Sequence, residues 1–445
     1  MKLSSIKLSD HFTIRRLLRF ARPSIIMMVF SSIYSVIDGI FVSNFAGEAA
    51  FAGLNFVFPY CMIMSAFCFM IGSGSSALVG KLLGEKEDKK AKSVFSLSIY
   101  FSIVLSLIMM GIGLALIEPI TKLRHASGEL LEQSLIYGRI YLCGTVFFSI
   151  QMEFQNLFVV AEKPRLGFLI TIIGGVSNII LDALFIIVFK WGVAGAASAT
   201  ILAQFIAAII GIIYFICPNK SLLRLGKAKI DIKAIWKMCT NGISELFSNI
   251  SMALVGLVFN NQLLTYLGED GVTAYGVLMY VSFIYVAIVI GYVIGVAPIF
   301  SYHYGANNKE ELHSLFIKSL ILVAINSISQ VLIAELMAGV FSSWFIFNNP
   351  TLFEITKRAF FLYSFGFLFA SLCIFASSFF TALNDGLTSG FLSLMRTLVL
   401  QIVLVLVLPI WLGVDGIWLS YVVAEAISAS LCIFFFIIKK KKYGY

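Results

Sequence analysis

Apolar residues in this chain fall into long blocks separated by short stretches rich in Lys, Gly, Asn and Asp. Twelve blocks stand out, near residues 23–44, 54–80, 93–117, 134–158, 167–189, 193–217, 240–264, 272–299, 315–340, 357–380, 388–411 and 414–438. At 1.5 Å per helical residue, about 20 residues cross a hydrocarbon layer of about 30 Å. The blocks therefore predict an all-α polytopic membrane protein with twelve transmembrane helices.

Composition agrees. Of the 445 residues 60% are hydrophobic and 12% charged, against about 25% charged in soluble domains. The formal charge is +9, and its placement matters more than its size. With the N-terminus inside, 24 of the 32 Lys and Arg residues fall on one side, in the arm, in GKLLGEKEDKKAK, in AEKPRLG, in the mid-chain connection, in GANNKEEL and in the KKKK tail. The positive-inside rule then puts both termini in the cytoplasm of a multi-pass plasma (inner) membrane protein. No basic stripe interleaved with aromatics appears, so nucleic acid is not an expected partner. The cysteines (Cys61, Cys68, Cys143, Cys217, Cys239, Cys373 and Cys432) lie within or at the ends of apolar blocks without a C-x-x-C pair. They read as small core hydrophobes.

A repeat divides the chain. At an offset of 221, Gly47-Glu48 matches Gly268-Glu269, Gly84 matches Gly305, and WGVAGAASATILAQ matches LGVDGIWLSYVVAE. The expected organisation is a six-helix lobe over 1–217, a basic cytoplasmic linker over 218–238 and a second six-helix lobe over 239–445. An even number of spans per repeat gives the lobes the same orientation. Transporters use such parallel repeats to rock about a central site.

Ionisable residues inside a membrane cost roughly 2.5–3.5 kcal/mol each at mid-helix on insertion scales and so mark candidate sites. Asp38 in span 1 and Asp182 in span 5 are the clearest, with Asn178 one turn before Asp182. Counting inward from the outer ends places Asp38, Asn178, Asp182 and Thr200 of span 6 at a common depth, roughly 10 Å below the outer hydrocarbon edge. Two carboxylates, an amide and a hydroxyl at one depth could hold H⁺ or Na⁺, hard cations favouring oxygen shells. Alternatively, each acid pairs with a separate structural partner. A second set comprises Glu245 in span 7, Arg396 in span 11 and Glu425 in span 12, where an Arg396–carboxylate pair could either bind substrate or hold the lobe together. Tyr34, one turn from Asp38, suits cation–π contact with organic cations. Glu153, Gln155 and Asn156 mark an end of span 4 and are expected to reach water, Arg139, Lys318 and Arg396 are the basic residues expected well inside spans, and Glu153, Lys318 and Glu335 read as structural.

Enzyme signatures are absent. GSGSSALVGKLL over 72–83 lacks the G-x-x-x-x-G-K-[ST] spacing of a P-loop, and no H-E-x-x-H occurs. Neither catalysis nor ATP use is expected, nor a resident cofactor beyond a transported H⁺ or Na⁺.

The segments SVIDGIFVSNFAG, SNIILDALFI, WGVAGAASATILAQ, SELFSNISMALVGLVFN and MRTLVLQIVLVLVLPIWLGVDGIWLSYVVAE together resemble the multidrug and toxic compound extrusion (MATE) transporters over nearly the whole chain. The resemblance implies a monomeric secondary antiporter that exports amphipathic or cationic small organic molecules in exchange for H⁺ or Na⁺ by alternating access. It also implies a first-lobe cation site of Asp38, Asn178, Asp182 and Thr200, with Glu245 at the position of a second-lobe acid that some members use. Span 10 here is uncharged, unlike that of some sodium-coupled members. A lipid-linked oligosaccharide or polysaccharide flippase of the same superfamily is the alternative, and a membrane scaffold or receptor without transport a more distant one.

Overall fold

The computed structural model describes residues 6–219, 221–345 and 350–445. The first five residues of the basic arm and Lys220 of the expected linker lie outside the described residues. Fifteen helices follow one another among them: α1 (Ile14–Phe41), α2 (Glu48–Gly84), α3 (Asp88–Leu123), α4 (Gly128–Cys143), α5 (Thr145–Val160), α6 (Pro164–Asp182), α7 (Gly192–Ile216), α8 (Ile232–Leu267), α9 (Glu269–Gly305), α10 (Lys309–Phe345), α11 (Pro350–Tyr363), α12 (Phe367–Ala382), α13 (Gly386–Leu394), α14 (Leu400–Leu412) and α15 (Val414–Tyr443). Short π-helical segments at Val42–Ala46, Ala183–Val188 and Met395–Val399 extend α1 and α6 and join α13 to α14, and a single 3₁₀ turn joins α11 to α12. Eleven of the resulting rods are long and apolar enough to cross a membrane, and the bent pair α4–α5 makes twelve.

Local chemistry explains the boundaries. Thr13 and Asp231 cap α1 and α8, the Asp231 carboxylate accepting from Lys233 N (3.0 Å) and Ala234 N (3.1 Å). Such a cap is worth about 1 kcal/mol. It makes residues 232–238, expected to be linker, the first turns of a span. The 52° break between α4 and α5 falls at Gly144, where an added β-carbon would lie 2.3 Å from Ile201. The two halves turn alike at the repeat offset: Lys86 and Asn307 both take positive φ (61° and 52°), as do Gly192 and Gly413 (56° and 58°). Trp191, Trp236 and Trp411 are exposed near helix ends, where amphipathic rings meet a membrane–water boundary.

The halves meet where α1 packs on α9 and α2 on α8. The contact is tightest at the end of the bundle that carries both termini, and glycine makes it possible. A β-carbon on Gly74 would lie 1.9 Å from the Met238 carbonyl oxygen, and one on Gly242 1.8 Å from that of Met70. Gly84 and Gly305 approach Tyr302 O and Lys81 O in the same way (2.0 and 2.1 Å), and Gly295 seats on Ala21 (2.8 Å). On these same helices Gly39, Gly256 and Gly276, toward the opposite end, meet nothing within 4 Å. The N-terminal arm adds a strap across the closed end. Leu8 N–H donates to Glu162 of the first half (2.7 Å), while Phe12 N–H donates to Glu311 of the second (2.9 Å). Leu8 and Phe12 are buried in a cluster with Val159, Phe300 and Phe316.

Candidate functional site

The register of α1 against α6 is set at Gly175, where a β-carbon would come within 2.6 Å of the Phe30 ring and 3.0 Å of the Tyr34 ring. One turn beyond Tyr34 along α1 lies Asp38; two turns beyond Gly175 along α6 lies Asp182. The packing makes the two carboxyl groups electrostatic neighbours. Among the described residues, Asp38 Oδ1 and both oxygens of the fully buried Asp182 have no hydrogen-bond partner, and the Asn178 side-chain nitrogen is likewise buried and unpaired. Buried polar groups are nearly always paired, so this cluster of orphans marks a candidate site. Two neighbouring carboxylates in low dielectric repel unless a proton or a cation lies between them.

Both acids sit beside a local widening of the helix. Asp182 immediately precedes the π segment Ala183–Val188 and Asp38 lies one turn before Val42–Ala46; the two π segments pack against each other. π-Bulges concentrate at functional sites because they re-aim side chains and free backbone groups. Tyr34 lies within electrostatic range of Asp38, as expected, and Tyr137 on α4 lies within range of both acids. Sequence reasoning missed Tyr137. Its pairing with Tyr141 at i, i+4, seen here as rings 5.9 Å apart at 18°, was the available signal. Thr200 is less engaged than expected. Its hydroxyl donates within its own helix to Ala196 O (3.1 Å), and no hydrogen bond joins it to either acid among the described residues. Nor does any group of three or more His, Cys, Asp or Glu residues suited to a metal occur among them. A metal ion here would meet two carboxylates and neutral oxygens, an all-oxygen shell of the kind hard cations take.

In the second half Arg396 and Glu425 form an ion pair, Arg396 Nε donating to both carboxylate oxygens (2.9 and 2.8 Å). Glu425 is fully buried and the Arg396 side chain 15% exposed. Glu245 on α8 lies within electrostatic range of Arg396 without bonding it. Tyr363 and Tyr421 stack beside the pair with centroids 4.1 Å apart and planes at 5°.

One expectation fails. Glu153 does not reach water: it is wholly buried and accepts hydrogen bonds from Ser75 Oγ and Ser102 Oγ, both 2.7 Å away on other spans, and Gln155 is also buried. Arg139 lies within α4 with its side chain half-exposed, donating to Glu118 (2.8 Å). Lys318 and Glu335 have structural partners, Lys318 donating to Phe12 O (2.5 Å) and Glu335 accepting from Ser364.

The MatE family model matches residues 23–184 and 245–407. The chain is 26% identical over 437 residues to the multidrug export protein MepA of Staphylococcus haemolyticus (strain JCSC1435), covering 94% of this chain and 92% of that protein. To MepA of Staphylococcus aureus (strain MRSA252) it is 24% identical over 421 residues, with coverage of 93% and 91%. A solved outward-facing conformation of a multidrug resistance MATE family transporter superposes with a TM-score of 0.92 at 20% identity, over 100% of this chain and 99% of that one. A crystal structure of MATE in complex with MaL6 does so at 0.92 and 20%, over 98% of each. At such identities the structural likeness is one of fold.

Proposed function

The chain belongs to the MatE family, and from that premise we propose that it is a secondary antiporter that exports amphipathic or cationic small organic molecules across the plasma membrane in exchange for H⁺ or Na⁺ held between Asp38 and Asp182. The observation that carries the reading is the neighbouring pair of carboxyl groups, three of whose oxygens are buried without a hydrogen-bond partner among the described residues. The MepA relatives, named as multidrug export proteins, support the choice of cargo.

The helices of the two halves are in close contact at the terminal end through the glycines, which fits a transporter closed on the inner side when the termini are cytoplasmic. A cation entering from outside binds the acid pair, pulls α1 against α6 and draws on the slack of the adjoining π segments. Cargo is released as the same helices shift, because a ligand can bias the two states only through its different affinity for each. The flippase alternative gains nothing from the basic residues. Arg139 is half-exposed beside Glu118 and Lys318 holds the arm, leaving Arg396 alone near the centre.

The test is dye efflux from proteoliposomes under separately imposed pH and sodium gradients. Wild type should extrude ethidium under at least one gradient, and Asp38→Asn should lose gradient-driven efflux while retaining dye binding. Undiminished efflux by Asp38→Asn would remove the coupling role of the pair.

A further inference from the structure

Arg396 is only partly used by its partner. A guanidinium offers five N–H donors in a planar fork, and Glu425 takes the one on Nε. The two terminal nitrogens have no hydrogen-bond acceptor among the described residues, yet part of the side chain is open. A cation at this depth does not face lipid; the π segment Met395–Val399 that carries it packs on α8, the helix that joins the second half to α2 of the first. Glu245 of α8 stands across from it within electrostatic range. The stacked Tyr363–Tyr421 pair supplies a flat apolar wall beside the charges.

The repeat shows that this is a departure rather than inherited packing. Across the repeat, Arg396 falls at the Gly174-Gly175 pair of the first half, beside the notch filled by Phe30 and Tyr34. Glu425 corresponds to Gln204 and Glu245 to Ser24. One half has acids without a base; the other has a base whose free edge adjoins a second acid.

We propose that the outer edge of Arg396 is a specificity site that seats a carboxylate of amphipathic zwitterions, with the substrate's cationic end toward Glu245. A planar carboxylate matches the fork and takes two parallel hydrogen bonds, which a lysine cannot offer. Glu425, bound at Nε, fixes the plane of the fork. The proposal rests on the reading of the chain as an exporter and deepens it by naming a substrate class.

A matched pair of dyes tests it: rhodamine 6G, an esterified cation, and rhodamine B, which carries a free carboxylate, both followed in gradient-driven proteoliposome efflux. The variant is R396Q/E425Q, which replaces both charges so that Glu425 is not left buried alone, with R396K as a second variant and thermal unfolding of each as the check on folding. Wild type should export both dyes. The double variant should lose rhodamine B efflux at least tenfold and keep rhodamine 6G efflux within twofold, and R396K should lose selectivity in the same direction. Equal loss of both dyes by folded protein overturns the proposal and makes the pair a brace. Unchanged efflux of both also overturns it, as does wild type that exports rhodamine 6G but not rhodamine B. Wild type that moves neither dye under any gradient refutes the export reading itself.

Discussion

The seal at the terminal end gives a quantitative handle on alternating access through Gly74→Ala. The added methyl would lie 1.9 Å from Met238 O, 2.8 Å from Met238 C and 2.9 Å from Gly242 N. These are backbone atoms, so no side-chain rotation relieves the clash. Restoring an ordinary carbon–oxygen approach of about 3.3 Å requires α2 and α8 to part by roughly 1.4 Å, forfeiting part of the dispersion between them. Overpacking of this kind costs about 1–3 kcal/mol, and the cost falls only on the state closed at this end. The alanine's helix propensity, about 1 kcal/mol better than glycine's, acts on both states and cancels. The ratio of states should therefore shift toward opening of the terminal end by about one to two decades. Spin labels at Lys86 and Asn307, exposed turn residues of the two halves, placed on a cysteine-free background, report the distance across that end. A longer-distance population should appear in Gly74→Ala and be absent in Gly256→Ala, whose β-carbon meets nothing. A Gly74→Ala distribution matching wild type would refute the claim that this seam sets the closed state.

Three further outcomes follow from the packing. Arg396→Gln alone should destabilise by about 3–5 kcal/mol because it strands the buried Glu425 charge, while R396Q/E425Q should unfold near wild type; equal melting of single and double variants would show the carboxylate is not isolated by the change. Glu311→Gln weakens the Phe12 bond and the His11 contact (2.5 Å), at a cost of about 1–3 kcal/mol, and faster trypsin cleavage of the arm at Arg15 or Arg16 is the readout. Burial alone would raise the Asp385 carboxyl, but donors from Tyr443 (2.7 Å), Thr388 (2.9 Å) and Lys439 (3.1 Å) outweigh it and hold it below the usual carboxylate value. A depressed acid stabilises fully above its unfolded value, about pH 3.9, and loses that contribution as pH falls through the lower folded one. The melting gap between wild type and Asp385→Asn should thus be constant from pH 7 to about 5 and close below about 4; a gap independent of pH down to 3 contradicts the assignment.

The architecture was legible because bilayer thickness imposes run length, and run length survives without any knowledge of partners. Candidate acids were legible for a related reason: a charge in an apolar block has few innocent explanations. What failed was whatever depends on a neighbour from another span. Glu153 looks water-facing from its position near a block end, but Ser75 and Ser102 enclose it from other spans. Arg139 lies within its span as counting gives, but its Glu118 partner comes from another span. The π segments flanking Asp38 and Asp182 carry no proline or composition change, since one added residue per turn leaves the hydrophobic pattern almost intact. Tyr137 enters the site only because α4 crosses the other helices at the right height.

The two halves began as equivalent sequence, and their present chemistry explains how one protein could separate cation traffic from cargo. A carboxylate already bonded at both oxygens, as Glu425 is by Arg396 Nε, has little left to offer a passing cation, since the guanidinium would have to be displaced first. The Asp38–Asp182 pair has nothing to displace. On the proposed function, the arginine thereby keeps Glu425 out of cation binding, simply by where it stands. Removing that arginine while keeping Glu425 would open a second acid to cations. Single Arg396→Gln protein, if it folds, should therefore show a changed cation stoichiometry, which R396Q/E425Q should not.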